Sequence, residues 1–332
     1  MKLRSCRATL CRLAPLLVLA CEARPAIAPS GPSHAVVSLR GPAGSPRSID
    51  VALTVDDLPD HGPVLPGQSR ADIHRAFVTA FRAHRLPPVY GFVNGGSLEG
   101  HPEDRAALHE WVLAGNLLGN HTRTHPDLYK TTLDAYLADV DANEPLLREM
   151  AGGADARTWR VFRYPFLQEG TDNASRARLR QQIVARGYRV AEVTIDFYDW
   201  AYNEPYARCA ASHDLRGISA LKTSYLSYAG AALQWADAAA RELVGRPIEQ
   251  ILLLHIGAFD AELLDELLSL YERHGAHFVS LETALADPVY ATEPARPTAW
   301  EGTFLAQIRE ARGVSDPPDM PLPEALLDAL CR

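Results

Sequence analysis

The stretch Ser48-Ile-Asp-Val-Ala-Leu-Thr-Val-Asp-Asp57 alternates through β-branched residues and stops on two adjacent acids. Alternation of this kind specifies a strand, and neighbouring carboxylates at its end repel each other unless a cation separates their roles. Outward from it the chain repeats one unit. Ser69–His84 sets Ala71, Ile73, Ala76, Phe77, Ala80 and Phe81 at helical spacing. Val89-Tyr-Gly-Phe-Val93 is a second apolar strand ending in the turn residues Asn94-Gly-Gly96, and a helix over Glu103–Ala114 is stopped by Gly115. Strands follow at Leu117–Asn120, Val161–Arg163, Arg189–Ile195, Ile251–Leu254 and His277–Val279. Helices separate them at Leu133–Met150, Ser175–Arg186, Ile218–Val244 and Glu262–His274, with a short one from Leu281. Apolar strands alternating with helices imply a parallel sheet covered by helices. About seven such units predict an α/β fold, a distorted (β/α) barrel of about seven strands in a single domain over residues 49–286.

Composition sets the outer limits. Of 332 residues, 47% are apolar and 22% charged, which excludes collagen-like, disordered and disulfide-dense classes. Thirty-three basic against 41 acidic residues leave a net charge of −8 with no basic run, so nucleic acid is not an expected partner. Residues 1–28 read as an export leader: Lys2, Arg4, Arg7 and Arg12 precede the apolar Leu13–Ala20, far short of the ~20 residues that span a bilayer. Leu17-Val-Leu-Ala-Cys21 resembles a lipoprotein signal, which would attach the chain to a membrane through a lipidated Cys21; Ala26-Ile-Ala28 offers ordinary cleavage instead. The expected location is periplasmic, secreted or membrane-anchored. Residues 29–48 read as a linker and 287–332 as a Pro-rich tail with a short helix near Phe304–Arg312. Beyond the leader only Cys209 and Cys331 remain, as one bridge or two buried thiols.

In β/α barrels the chemistry sits at the C-terminal ends of strands. Those positions here are Asp56-Asp57, His121-Thr-Arg-Thr-His125, Arg163-Tyr-Pro-Phe166, Asp196-Phe-Tyr-Asp-Trp200 and His255. His121 and His125 are four apart, a spacing that puts both imidazoles on one side of a helical turn. With Asp57 they form a His₂-carboxylate set that leaves a position open for water, the pattern of a catalytic zinc site. An ion held there acidifies water and polarises a carbonyl, which leaves Asp56 to face that water. Asp199 reads as a surface acid or helix cap as readily as a functional group. His61, His101 and His109 read as solvated, and Trp159 and Trp235 as core. Tyr198, Tyr202 and Tyr206 read equally as a sugar-stacking cluster or as packing within an insertion at 202–217.

Five motifs in order, Thr54-Val-Asp-Asp57, His121-Thr-Arg-Thr-His125, Arg163-Tyr-Pro-Phe166, Asp196-Phe-Tyr-Asp-Trp200 and Leu253-Leu-His255, resemble those of the NodB-homology polysaccharide deacetylases, carbohydrate esterase family four. The resemblance covers about residues 49–285. It implies Asp56 as general base, and Asp57, His121 and His125 as ligands of a divalent ion, most simply Zn²⁺. It further implies Arg163 as the partner of Asp56 and His255 as general acid held by Asp196. Pro165 and Phe166 would border the substrate, the Phe166 backbone N–H would face the oxyanion, and Trp200 and Leu253 would line a pocket for the acetyl methyl. The chain departs from the family where Leu58-Pro59 replaces the usual Gly, and at Val55, Phe166 and Leu167.

These residues predict a metal-dependent hydrolase that removes acetyl groups from N-acetylated amino sugars of a peptidoglycan- or chitin-like polysaccharide. A deacylase of O-acetyl esters or of a small non-sugar amide is the nearest alternative. A glycan-binding relative without turnover is a more distant one, because binding needs neither Asp56 nor His255.

Overall fold

In the computed structural model, which describes residues 48–153, 155, 158–292, 302–314 and 322–332, the opening stretch forms β1 (Ile49–Leu58). The leader, Cys21 and the linker up to residue 47 lie outside the described residues. β1 is buried along nearly its whole length, because parallel strands lie on each side of it. It pairs with β2 (Tyr90–Val93) on its second half and with β6 (Gln250–His255) over Val51 to Asp56. The short β7 (Ala276–Phe278) pairs with its first residues. The sheet continues from β2 through β3 (Leu117–Asn120), β4 (Val161–Phe162) and β5 (Arg189–Val190), giving the order β5-β4-β3-β2-β1-β6 with every pair parallel.

The strand expected over Arg189–Ile195 divides its work. Arg189 and Val190 pair with β4, while Ile195 makes a single parallel bridge to Leu252 of β6, with bonds of 3.0 Å from Ile195 N to Ile251 O and from Leu253 N to Ile195 O. That bridge brings the two ends of the sheet together and makes it a nearly closed, curled barrel. Closure removes the free edges an open sheet would present.

Helices cover the outside. α1 (Arg70–Ala83) starts on a Ser69–Asp72 capping box, which satisfies two otherwise orphaned backbone donors. α2 (Arg105–Leu113), α3 (Leu133–Met150) and α4 (Asn173–Ala185) follow β2, β3 and β4. The stretch 202–217 is a helix, α5 (Asn203–Ala211), running into α6 (Leu215–Val244). α7 (Ala258–Arg273) buries Leu263, Leu264, Leu267 and Leu268, the i, i+1, i+4, i+5 stripe of a core-facing helix. A disulfide joins Cys209 of α5 to Cys331, just past α10 (Glu324–Ala329). Among the described residues no helix is long and apolar enough to cross a membrane.

After the short α8 (Leu281–Ala284), the segment read as a tail contributes to the core. Phe304, Leu305 and Ile308 of α9 (Phe304–Ala311) are buried, and the Phe304 N–H bonds to Val193 O at 2.7 Å. Gln307 Nε2 donates to the buried Glu169 Oε1 at 2.6 Å. Removing a buried Phe ring costs about 3–5 kcal/mol, so Phe304→Ala is expected to lower unfolding stability by about 3 kcal/mol or more. A loss below about 1 kcal/mol in urea titration would show that α9 is not part of the core.

Candidate active site

β1 delivers two acids to the barrel mouth, and local backbone geometry gives them different neighbours. Asp57 is left-handed (φ 65°), a conformation that costs a non-glycine residue about 1 kcal/mol. Asp56, still in the ladder, sits opposite His255 in the register with β6. Its carboxylate meets Arg163, whose Nη1 lies 3.3 Å from both oxygens. Arg163 is anchored in turn by Ala191 O (2.8 Å from Nε) and Thr54 Oγ1 (3.0 Å from Nη2), with its guanidinium over the Phe92 ring. Both partners are buried, where breaking one side of an ion pair costs about 3–5 kcal/mol. Burial pushes the Asp56 carboxyl up from its ordinary range, against the opposing pull of Arg163.

His121 and His125 lie on an irregular loop and not on the helical turn their spacing suggested. Thr122 and His125 are left-handed (φ 66° and 52°), and α3 holds the loop in that shape. Asp139 Oδ2 accepts the N–H groups of Arg123 and Thr124, each at 2.8 Å. Buried Asn120 Oδ1 accepts the Thr122 N–H (2.8 Å) and the Asn143 amide (3.1 Å). His121 Nδ1 donates to Arg163 O at 2.8 Å, leaving Nε2 for the site. His121 Nε2 and His125 Nε2 lie 3.5 and 3.6 Å from Asp57 Oδ1. Two ligands about 2.1 Å from one tetrahedral ion are separated by roughly 3.4 Å.

The residues present therefore fit a divalent ion. Asp57 Oδ1 is buried without a hydrogen-bond partner and belongs to the one candidate ligand group, Asp57, His121 and His125, among the described residues. Burial lowers both imidazoles to about 4, so they are neutral at pH 7, the form that coordinates metal. Asp57, despite burial, is held below the usual carboxylate range by the hydrogen bond from His61 and by the surrounding imidazoles.

Across the mouth, the aspartate bonded to His255 is Asp199, not the expected Asp196. Asp199 Oδ1 accepts from His255 Nδ1 at 2.9 Å and Oδ2 from the His255 N–H at 2.6 Å. Asp196 follows the closing bridge directly, and its carboxylate caps the Tyr198 N–H at 2.9 Å. Tyr198 then turns left-handed (φ 60°), which brings Asp199 to His255. Behind Asp199 lies a second buried acid, Asp260, in the first turn of α7 and hydrogen-bonded to Asp199. Asp260 also accepts from the Tyr225 hydroxyl (2.8 Å) and from Asn203 Nδ2 (3.1 Å). Asn203 packs so closely on Gly257 that a Cβ there would collide with its side-chain amide.

These groups surround a cavity of about 510 Å³. Trp200 and Leu253 line it as expected, with Tyr164, Phe166, Leu167 and Thr303. Pro165 does not line it. Phe166 and Leu167 are both left-handed (φ 55° and 53°), so Phe166 projects its half-exposed ring over His125, 4.3 Å between centroids, while Pro165 is buried. Tyr202 and Tyr206 pack on Phe259 in the core, whereas Tyr198 lines the cavity. His101 and His109 are exposed. His61, expected to be solvated, is in the site: Nδ1 lies 2.8 Å from Asp57 Oδ2 and its ring 4.8 Å from that of His255. Its spacing of four from Asp57, ahead of the turn Gly62-Pro63, was the available clue.

Residues 43–191 match the sequence profile of the family described as polysaccharide deacetylase. Over that stretch the chain is similar to the family. No curated protein matches it. Among solved structures, Bacillus subtilis PdaA, a family 4 carbohydrate esterase, is 18% identical, with 74% of this chain and 83% of that chain covered and a TM-score of 0.47. The chitin deacetylase of the fungal pathogen Colletotrichum lindemuthianum is 19% identical, covering 72% and 88%, with a TM-score of 0.46. A CE4 family pseudoenzyme from Bacillus anthracis is 16% identical, covering 72% and 66%, with a TM-score of 0.47. The family consists of hydrolases, some of whose members are pseudoenzymes.

The Asp199–Asp260 acid pair has a measurable signature. Burial, then the charge of Asp199, pushes Asp260 up to about 8, and burial, then Asp196, pushes Asp199 up to about 7. An unfolded Asp titrates near 4. Between those limits the folded state holds a proton the unfolded chain has released, so stability falls as pH rises, by at most about 1.4 kcal/mol per unit for each group. Asp260→Asn is neutral throughout. In the metal-free protein, wild type is expected to lose about 2 kcal/mol more than Asp260→Asn between pH 5 and pH 7. Parallel stability–pH curves would show that Asp260 is ionised in the folded state.

Proposed function

We propose that the protein is an exported, metal-dependent deacetylase that hydrolyses the acetamido groups of N-acetylated amino sugars in a peptidoglycan- or chitin-like polysaccharide. One observation carries this reading. Two consecutive aspartates have opposite surroundings, Asp57 facing two neutral imidazoles and Asp56 facing Arg163, with His255 in register beside Asp56. A binding protein needs no such division.

Asp57, His121 and His125 would hold the ion, most simply Zn²⁺ for a His₂-carboxylate set. When bound, the ion supplies Lewis acidity to the scissile carbonyl and to water. Asp56, kept in place by Arg163, takes the proton of the attacking water on a carboxylate oxygen. The Phe166 backbone N–H donates to the carbonyl oxygen as charge develops there. His255 has its Nδ1–H held by Asp199, so the Nε2–H of its imidazolium form protonates the departing nitrogen as the carbon–nitrogen bond breaks, leaving a neutral imidazole. Acetate and a free amine result. Trp200 and Leu253 form the apolar wall for the acetyl methyl, and the partly exposed rings of Phe166 and Trp200 suit the apolar face of a sugar. The leader reading supports export, as does the Cys209–Cys331 bridge, a linkage that persists in oxidising compartments. Attachment through a lipidated Cys21 belongs to the same proposal.

The test is acetate release from chitin oligomers, peptidoglycan and acetylxylan, each with and without a chelator. Release from at least one of the two amide substrates is expected, with loss on chelation. Asp56→Asn should keep its metal and lose about 10²–10⁴-fold in turnover, the range of general acid–base catalysis. Release from acetylxylan alone would make the protein an esterase. No release from any substrate by the metal-loaded protein would leave a glycan-binding relative.

A further inference from the structure

His61 belongs to a loop that the rest of the fold holds firmly against the site. Arg70, at the start of α1, donates to the carbonyls of His61 (3.1 Å) and Gly62 (2.6 Å) and pairs with Asp60. Gly62 adopts φ 65°, and a Cβ on it would stand 3.1 Å from Asn203 Cβ, so the loop is clamped between α1 and the start of α5. The clamp delivers His61 Nδ1 to Asp57 Oδ2 at 2.8 Å.

We propose that His61 is a positioning residue that commits one oxygen of Asp57 to a hydrogen bond and so presents the other, alone, to the ion. The inference rests on the reading of Asp57 as a ligand. A free carboxylate can turn about its terminal torsion and can chelate through both oxygens. Here the ionised Asp57 can only accept, so His61 Nδ1 carries the proton. Oδ2 is then occupied, while Oδ1 is the buried oxygen without a partner, 3.5 and 3.6 Å from the two imidazole nitrogens. Asp57 Oδ1, His121 Nε2 and His125 Nε2 would then be the three donor atoms offered to the ion. Partners that orient a ligand in this way are commonly worth 10–100-fold in metal affinity.

The test is Zn²⁺ affinity of the metal-free protein, measured by competition with a chromogenic chelator. His61→Ala should bind Zn²⁺ about 10–100-fold more weakly than wild type. The nitrogen of Asn falls where Nδ1 of His lies, and that of Gln falls nearer Nε2. His61→Asn should therefore stay within about threefold of wild type, while His61→Gln behaves like His61→Ala. Thermal melting of the metal-free variants provides the folding control, and the Asn–Gln comparison holds even if the Ala variant is unstable. Wild-type affinity in His61→Ala, or equal losses in the Asn and Gln variants, would overturn the inference. His121→Ala is measured in parallel. If it too binds Zn²⁺ like wild type, the ligand set itself falls; if it alone loses affinity, only the role of His61 falls.

Discussion

Asp56 and Asp57 are consecutive carboxylates at one strand end, and two like unit charges about 4 Å apart repel each other by about 4 kcal/mol at an effective dielectric near 20. The barrel mouth is arranged around relieving that repulsion. Arg163 reaches Asp56 from the end of β4, and His61, His121 and His125 gather on Asp57. Each is held by elements elsewhere: Arg163 by Thr54 and Ala191, His121 by the carbonyl of Arg163, and the histidine loop by α3. Three strands and their helices are thereby tied to one pair of acids. Asp56 meets a guanidinium and Asp57 meets imidazoles, so the two adjacent acids stand in different surroundings.

The cost of the arrangement appears in the backbone. Asp57, Thr122, His125, Phe166, Leu167 and Tyr198 account for six of the nine non-glycine residues with positive φ among those described, and all border the cavity or its loops. Such conformations persist only where surrounding structure over-determines them. The hydrogen bonds that the histidine loop's N–H groups donate to Asp139 and Asn120, and that the Tyr198 N–H donates to Asp196, are that structure. On the acid side, burial pushes the carboxyls of both Asp199 and Asp260 up from their ordinary range, which disfavours two adjacent negative charges behind His255.

The fold was legible because β1, β6 and the long helices carry clean periods of 2 and 3.6. The stretch at 189–195 was legible as a strand but not as a hinge between two partners, since pairing of Ile195 with Leu252 is a long-range event without a local signature. Strand-end positions revealed Asp56, Asp57, His121, His125, Arg163 and His255, because chemistry placed there has a fixed distance from an apolar run. Asp196 and Asp199 could not be told apart in sequence, as the left-handed turn at Tyr198 decides which of them reaches His255. Pro165 looked like a lining residue until the paired positive φ values at Phe166 and Leu167 turned it away. His61 was hidden by its loop, which a clamp from Arg70 carries back to the site. Thr303 was hidden by distance along the chain, because only the docking of α9 brings it to the cavity.

If Asp57, His121 and His125 are the ligands, one ion sits between them on a single carboxylate oxygen. Anomalous diffraction at the zinc absorption edge, from crystals of the full chain equilibrated with Zn²⁺, tests it most directly. One dominant peak is expected about 2.0–2.2 Å from His121 Nε2, His125 Nε2 and Asp57 Oδ1, with Asp57 Oδ2 still on His61. A site without a peak, or a peak centred on Asp56, would contradict it.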